Sequence, residues 1–162
     1  MSDGDIGCYS RPETGNHILI GSEDPECDER IFVDPDNWDE NFTEQWKTQV
    51  LRQAQRYPNL PISNNVKGVV SLYDVTDDWI PIYDKSDLPG FYMAIGTSGN
   101  QFKNAPVAGV LMSELIEYCE NGNNHDTEPL TINLKYINKD INLKFYSRNR
   151  KINEESSMSV LG

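Results

Sequence analysis

Met93-Ala94-Ile95-Gly96-Thr97-Ser98-Gly99-Asn100-Gln101-Phe102-Lys103-Asn104-Ala105-Pro106 is the stretch from which the fold is read. An apolar, strand-like run enters a turn with two glycines and a serine, and it leaves as a helix with Pro106 in its first turn. Such a junction predicts unpaired backbone N–H groups and the positive end of a helix dipole converging on one point. That makes it a candidate site for an electron-rich or anionic group. The turn has neither the GxxxxGK spacing of a phosphate loop nor GxGxxG, and GxGxxG occurs nowhere in the chain. Strand-to-helix turns rich in glycine are also common packing geometry, and Lys103 taken alone reads as a surface lysine. The turn by itself therefore leaves ligand binding and plain packing both open.

Working outward, Phe91–Ile95 reads as a buried strand that Pro89-Gly90 turns the chain into. Beyond the turn a helix is expected from about Ala105 to Tyr118, with Val107, Val110, Leu111, Met112, Leu115 and Ile116 on one wide apolar face and Asn121-Gly122 at its end. Upstream, Val66–Tyr73 reads as a strand. Asp74–Asp78 follows as a polar turn, and a short apolar strand broken by Pro81 comes next. Near the N-terminus, Asp5–Tyr9 and His17–Gly21 read as a hairpin joined through residues 11–16. Tyr9 and Arg11, two apart, share one side of that strand. Ser22–Asn41 reads as an acidic surface loop containing one short strand at Ile31-Phe32-Val33, without the Gly and Glu spacing of a calcium loop. Phe42–Tyr57 reads as a helix capped by Asn41 or Thr43, with Phe42, Trp46 and Val50 as its apolar stripe and Pro58 as its stop. At the C-terminal end, Leu130, Ile132, Leu134 and Tyr136 alternate as one strand face, and Ile141–Tyr146 reads as its hairpin partner across Asn138-Lys139-Asp140. A polar tail from Ser147 is expected to lie over the surface.

The 162 residues suffice for one domain with its own core, and 37% of them are hydrophobic. A formal net charge of −12 argues against nucleic acid and anionic membrane surfaces as partners. The N-terminal Met1-Ser2-Asp3-Gly4-Asp5 lacks the basic and apolar regions of a signal peptide, so a cytoplasmic location is expected. Cys8, Cys27 and Cys119 are odd in number and lie far from metal-ligand spacing, and His17 and His125 stand apart. No metal is expected.

Order adds what single motifs lack. Ser71-Leu72-Tyr73-Asp74-Val75-Thr76-Asp77-Asp78-Trp79-Ile80-Pro81-Ile82 precedes Leu88-Pro89-Gly90 and the glycine turn. This arrangement resembles the C-terminal half of FAD-dependent amine and amino-acid oxidoreductases, the group of D-amino-acid, glycine and sarcosine oxidases and of dimethylglycine and sarcosine dehydrogenases. Members carry a YxxTPDxxPI-like stretch, a strand, and then G-x-S-G-x-G-x-K-x-A-P opening a helix. The likeness spans roughly residues 5–120, with Arg11-Pro12-Glu13 and Ile18-Leu19-Ile20-Gly21 similar to the strand pair that precedes these motifs. It extends weakly to residues 146–150.

The resemblance implies an α+β fold: a mostly antiparallel substrate-domain sheet with flanking helices, plus the C-terminal strand-turn-helix of the FAD-binding fold. Residues 1–75 would be substrate-domain (hairpin, acidic loop, helix 42–57, strand 66–73), 76–122 the flavin-ring-binding strand-turn-helix, and 123–162 a C-terminal hairpin and tail. Gly96, Ser98, Gly99, Asn100, Gln101 and Phe102 would pass beneath the pyrimidine end of the flavin ring. Lys103 would hold a substrate carboxylate, and Tyr9 and Arg11 would wall the substrate pocket. Ser71 stands where some sarcosine oxidases have a cysteine bonded to flavin, so FAD would be held non-covalently. Asp77 replaces the family's Pro and Gln101 its Gly, and a Gln side chain there would crowd a ring. The family's N-terminal GxGxxG unit would be missing, making the chain a fragment or subunit that grips one end of FAD and is inactive alone. The activity implied is oxidation of a small amine or amino acid, such as an N-methyl amino acid, by hydride transfer to flavin. A non-catalytic acidic α+β binding module is the alternative.

Overall fold

The computed structural model describes residues 1–25, 27–62, 64 and 67–160. The chain divides into two compact units, Met1–Leu72 and Tyr73–Gly162. Every pairing among the described strands is antiparallel.

In Met1–Leu72 the sheet order is β1 (Ser2–Asp3), β2 (Cys8–Glu13), β3 (His17–Ser22). The hairpin is the expected one, but its turn is tighter: Glu13 pairs with His17, and Gly15 and Asn16 take left-handed backbone at the bend. Arg11, Pro12 and Glu13 are thus strand residues, while residues 4–7, where the first strand was expected to begin, form a turn. Along β2, Cys8 and Ser10 face inward and Tyr9 and Arg11 face outward, as the period of two requires.

Helix α1 (Glu44–Ala54) is shorter than the 42–57 expectation and presents a different face. Gln49, Val50 and Gln53 are buried, whereas Leu51 is 60% exposed. The seam against the sheet is polar for that reason: the Cys8 thiol donates to Gln49 Oε1 at 2.8 Å. Arg52 grips Asp28 with both guanidinium nitrogens at 2.7 and 2.8 Å, and this holds the Asp28 carboxyl well below the usual carboxylate range. Two expected strands do not form. Ile31-Phe32-Val33 is irregular and exposed, and so is most of residues 67–73; Val66 lies outside the described residues. Among the described residues neither run has a strand to pair with, and β propensity without a partner does not order backbone.

Tyr73–Gly162 holds the better core. Strands β4 (Ile82–Lys85) and β5 (Tyr92–Ile95) form one hairpin, and β6 (Thr131–Leu134) with β7 (Lys139–Asn142) forms another. Helix α2 (Ala105–Glu120) ends at Asn121 and at Gly122, whose φ is +87°. Tyr83, Leu111, Leu115 and Leu143 form the buried centre, with Met112, Ile132, Ile141 and Tyr146 packed around it. The apolar face of α2 is narrower than its sequence suggests, because Val107, Val110 and Ile116 are exposed. β5 is likewise only half-buried at Tyr92 and Met93 and exposed at Ala94 and Ile95, and Tyr136 stands fully exposed in the β6–β7 turn.

The segment after Tyr146 is anchored rather than draped. Buried Asp84 accepts from Ser147 Oγ at 2.9 Å and from the Arg148 N–H at 2.8 Å. Arg150 Nε donates to Asp78 Oδ2 at 2.9 Å, and its Nη2 donates to Asp78 Oδ1 at 2.5 Å and to the Ile80 carbonyl at 2.7 Å. Asp78 is 1% exposed, so removing its cation leaves a buried carboxylate held only by the neutral donors Thr76 Oγ1 and the Ile80 and Asn153 N–H groups.

Arg150→Ala is expected to cost about 3 kcal/mol of stability in urea unfolding, against a much smaller loss for an exposed-arginine control such as Arg11→Ala. The hydrogen bonds from Arg148 and Lys85 hold the Asp126 carboxyl down to about 2, below its ordinary 3.8. A lowered folded value makes that contribution complete above the unfolded value, with loss as pH falls from 3.8 toward 2. Stability measured against pH is therefore expected to drop in that window less steeply for Asp126→Asn than for the parent.

Candidate functional site

The glycine turn is built by β5 on one side and α2 on the other, with the polar stretch after Tyr73 closing behind it. Three residues in four have left-handed backbone: Gly96 (φ +68°), Ser98 (+50°) and Gly99 (+75°). Residues 101–104 then wind as a short 3₁₀ turn before α2 begins.

One side chain accounts for this shape. Asp74 Oδ2 accepts the Gly96 N–H at 2.8 Å, and its Oδ1 accepts the Thr97 hydroxyl. Its backbone carbonyl accepts the Ser98 N–H at 3.0 Å. Partial burial pushes the Asp74 carboxyl up, but the bonds from Thr97 and Gly96 outweigh it and leave the group below its ordinary value. A carboxylate of the chain thus occupies the anion position that the sequence leaves open. The glycines answer to the same packing. A Cβ on Gly96 would lie 2.3 Å from the Thr76 methyl, and one on Gly99 would lie 3.0 Å from the Tyr73 ring. Left-handed φ adds a second reason at both positions.

The residues singled out from sequence separate into an inner and an outer set. Gly96 and Ser98 are buried, and the Ser98 hydroxyl donates to the Gly96 carbonyl at 3.1 Å. Gln101, expected to crowd a ring, turns inward: its Oε1 accepts from Tyr83 OH at 3.1 Å and from Asn104 Nδ2 at 2.9 Å, and its amide donates to Asn100. Phe102 stands 97% exposed, and Gly99 and Lys103 are exposed beside it in sequence. The outer side of the turn is therefore a glycine, a phenyl ring and an ammonium at the start of a 16-residue helix.

Tyr9 and Arg11 share the outward face of β2, in the other unit. The Tyr9 ring lies over Gly21, where a Cβ would come within 2.3 Å of it, and Arg11 pairs with Glu13 at 3.5 Å. Ser71 is exposed on irregular chain in that same unit. The structure thus brings residues 96–103 together, and separately Tyr9 with Arg11. Asp74, Thr76 and Tyr73 are the residues that sequence reading left without a role. The available signal was the polar run Asp74–Asp78 lying directly ahead of a strand that feeds a glycine turn.

Among the described residues no group of histidines, cysteines and carboxylates is arranged to hold a metal, and no helix is long and apolar enough to cross a membrane. A family model described as FAD dependent oxidoreductase matches residues 1–115, more than half of the chain and inclusive of the whole turn. Neither the curated proteins nor the solved structures contain a match.

Asp74→Asn keeps the shape but weakens an acceptor for two turn donors. Hydrogen exchange of the Gly96 amide is expected to quicken by about tenfold, with α2 amides past Leu111 unchanged. Equal protection of Gly96 in parent and variant would show that the turn holds without the carboxylate.

Proposed function

The chain belongs to the FAD-dependent oxidoreductase family, and from that premise we propose that residues 96–103 face the ring of FAD in an enzyme oxidising a secondary or tertiary amine, such as an N-methyl amino acid. The observation that carries the reading is the outer side of the turn. Gly99 leaves the backbone open, Phe102 offers an uncovered aromatic surface, and the Gln101 side chain is engaged by Tyr83, Asn100 and Asn104. Those residues fit a flat ring that gains negative charge as it is reduced, laid against a helix start.

FAD, when bound, supplies the acceptor for the hydride. The chain's own part is electrostatic and positional. The positive end of the helix and the exposed main chain near Gly99 favour negative charge on the ring's near edge. The Lys103 ammonium pairs with a substrate carboxylate and so fixes where the C–H bond lies. Ser71 makes no covalent bond to the ring. Asp74 acts on none of these groups directly; it holds the turn in shape before any ligand arrives.

This assignment requires a dinucleotide-binding unit for the ADP end of FAD. We propose that such a unit covers Val107 and Val110, two apolar side chains that α2 leaves exposed. A second reading has one observation in its favour. Because Asp74 already occupies the Gly96 and Ser98 N–H groups, the turn needs no ligand to be complete, as expected of a non-catalytic binding module.

Supplying the chain with a GxGxxG-containing half of a family member and FAD separates the two. The enzyme reading predicts a yellow complex with flavin absorbance that is bleached by sarcosine or dimethylglycine. It further predicts that Lys103→Met raises KM by about tenfold or more while kcat changes less. Protein that is colourless once unbound FAD is removed, and that leaves both amines untouched, supports the module instead.

A further inference from the structure

We infer that a cavity beside the Leu143–Tyr146 turn, in the Tyr73–Gly162 unit, is a binding site for a small oxyanion, either phosphate or the carboxylate of a small acid. The cavity has a volume of about 170 Å³, and its wall includes His125, Lys144, Ser147, Asn149 and Arg150. That is room for a few waters, at roughly 30 Å³ each, or for one such anion.

The hydrogen-bond inventory of the wall shows what it lacks. His125 is 1% exposed, and its Nδ1 accepts the Leu130 N–H at 3.2 Å, so Nε2 carries the ring proton. That Nε2 is buried without a partner. The nearest carboxylate oxygen, Asp84 Oδ1, is 3.8 Å away, beyond hydrogen-bond reach. Asp84 is in any case committed to the Lys85 N–H, Ser147 Oγ and two donors of Arg148. Arg150 directs Nε and both Nη2 hydrogens at Asp78 and Ile80 and one Nη1 hydrogen at the Ser147 carbonyl, which leaves one N–H of its five. Lys144 adds an ammonium that has no ion pair among the described residues. The acid in the wall, Asp126, is spent on Lys85 and Arg148 at 2.6 and 2.8 Å.

Three donors are left over here: the His125 Nε2–H, one Arg150 N–H and the Lys144 ammonium. A ligand that completes the inventory must bring several acceptor oxygens and a negative charge, which selects an oxyanion over an amine, a sugar or a metal ion. The site is separate from the glycine turn and does not depend on the flavin reading.

The test is an NMR titration of the full chain with inorganic phosphate and, separately, acetate, at constant ionic strength against sodium chloride. The expected result is saturable movement of the His125 ring and Asn149 amide signals, with the tighter-binding anion naming the source. Lys144→Ala and Asn149→Ala should each weaken binding by about tenfold, while Lys103→Ala leaves it unchanged. Lys144 and Asn149 are exposed, so both variants are expected to fold. Movement that never saturates and matches chloride would overturn the inference. So would unchanged affinity in both wall variants, or loss of binding in Lys103→Ala.

Discussion

The Asp74 carboxylate is the interaction on which the glycine turn rests. Its two oxygens take the Gly96 N–H and the Thr97 hydroxyl, and its carbonyl takes the Ser98 N–H, across a gap of more than twenty residues in sequence. Gly96 and Gly99 take left-handed backbone freely, whereas at Ser98 it is costly for an isolated loop, and here the turn is fixed by hydrogen bonds and by packing on Thr76 and Tyr73. The turn is therefore preorganised: it does not wait for a ligand to acquire its shape. A surface formed in advance binds without first having to order itself, which is the condition a ring-facing main chain must meet.

A second set of constraints ties the end of the chain to the same unit. Asp78 with Arg150 and Asp84 with Ser147 and Arg148 pin residues 147–153 against the β4 hairpin. The polar stretch that carries Asp74 is thus held from both directions, by the turn ahead of it in space and by the C-terminal arginines. Hydrophobic burial alone would not do this. Four fully buried residues form the centre of the unit, and charged pairs supply the long-range register. In Met1–Leu72 the balance tilts further toward polar contacts, with Cys8, Gln49, Arg52 and Asp28 linked in one seam.

Local periodicity made much of this legible in the sequence. The β2–β3 hairpin follows from Ile18-Leu19-Ile20 behind Gly15-Asn16, and α2 from its apolar spacing and Asn121-Gly122, whereas the partner of β6 is Lys139–Asn142 rather than Ile141–Tyr146, because the turn closes earlier and residues 143–146 wind as a 3₁₀ turn. Apolar content misled where no partner exists, at Ile31–Val33 and in residues 67–73. It misled again on α1, where Gln49 and Gln53 are buried and Leu51 is not. The site was half legible. The turn could be read from its glycines, and Lys103 and Phe102 fall on its outer side. What closes the turn could not be read, because Asp74, like the Asp78–Arg150 pair, acts on residues far along the chain. A single sequence carries no record of such pairings. The inward fold of Gln101 was hidden for the same reason, since it depends on Tyr83 eighteen residues earlier.

The most direct test of the central claim uses the flavin ring without its ADP end. Riboflavin titrated into the isotope-labelled chain should move the amide signals of Gly99, Phe102 and Lys103, along with the Phe102 ring, and should leave Gly96 and Ser98 nearly still because Asp74 already holds them. Large shifts at Gly96 and Ser98 would mean that the ring displaces the carboxylate, and shifts confined to other surfaces would mean that the turn faces no flavin. Either result would contradict a preformed, ring-facing turn.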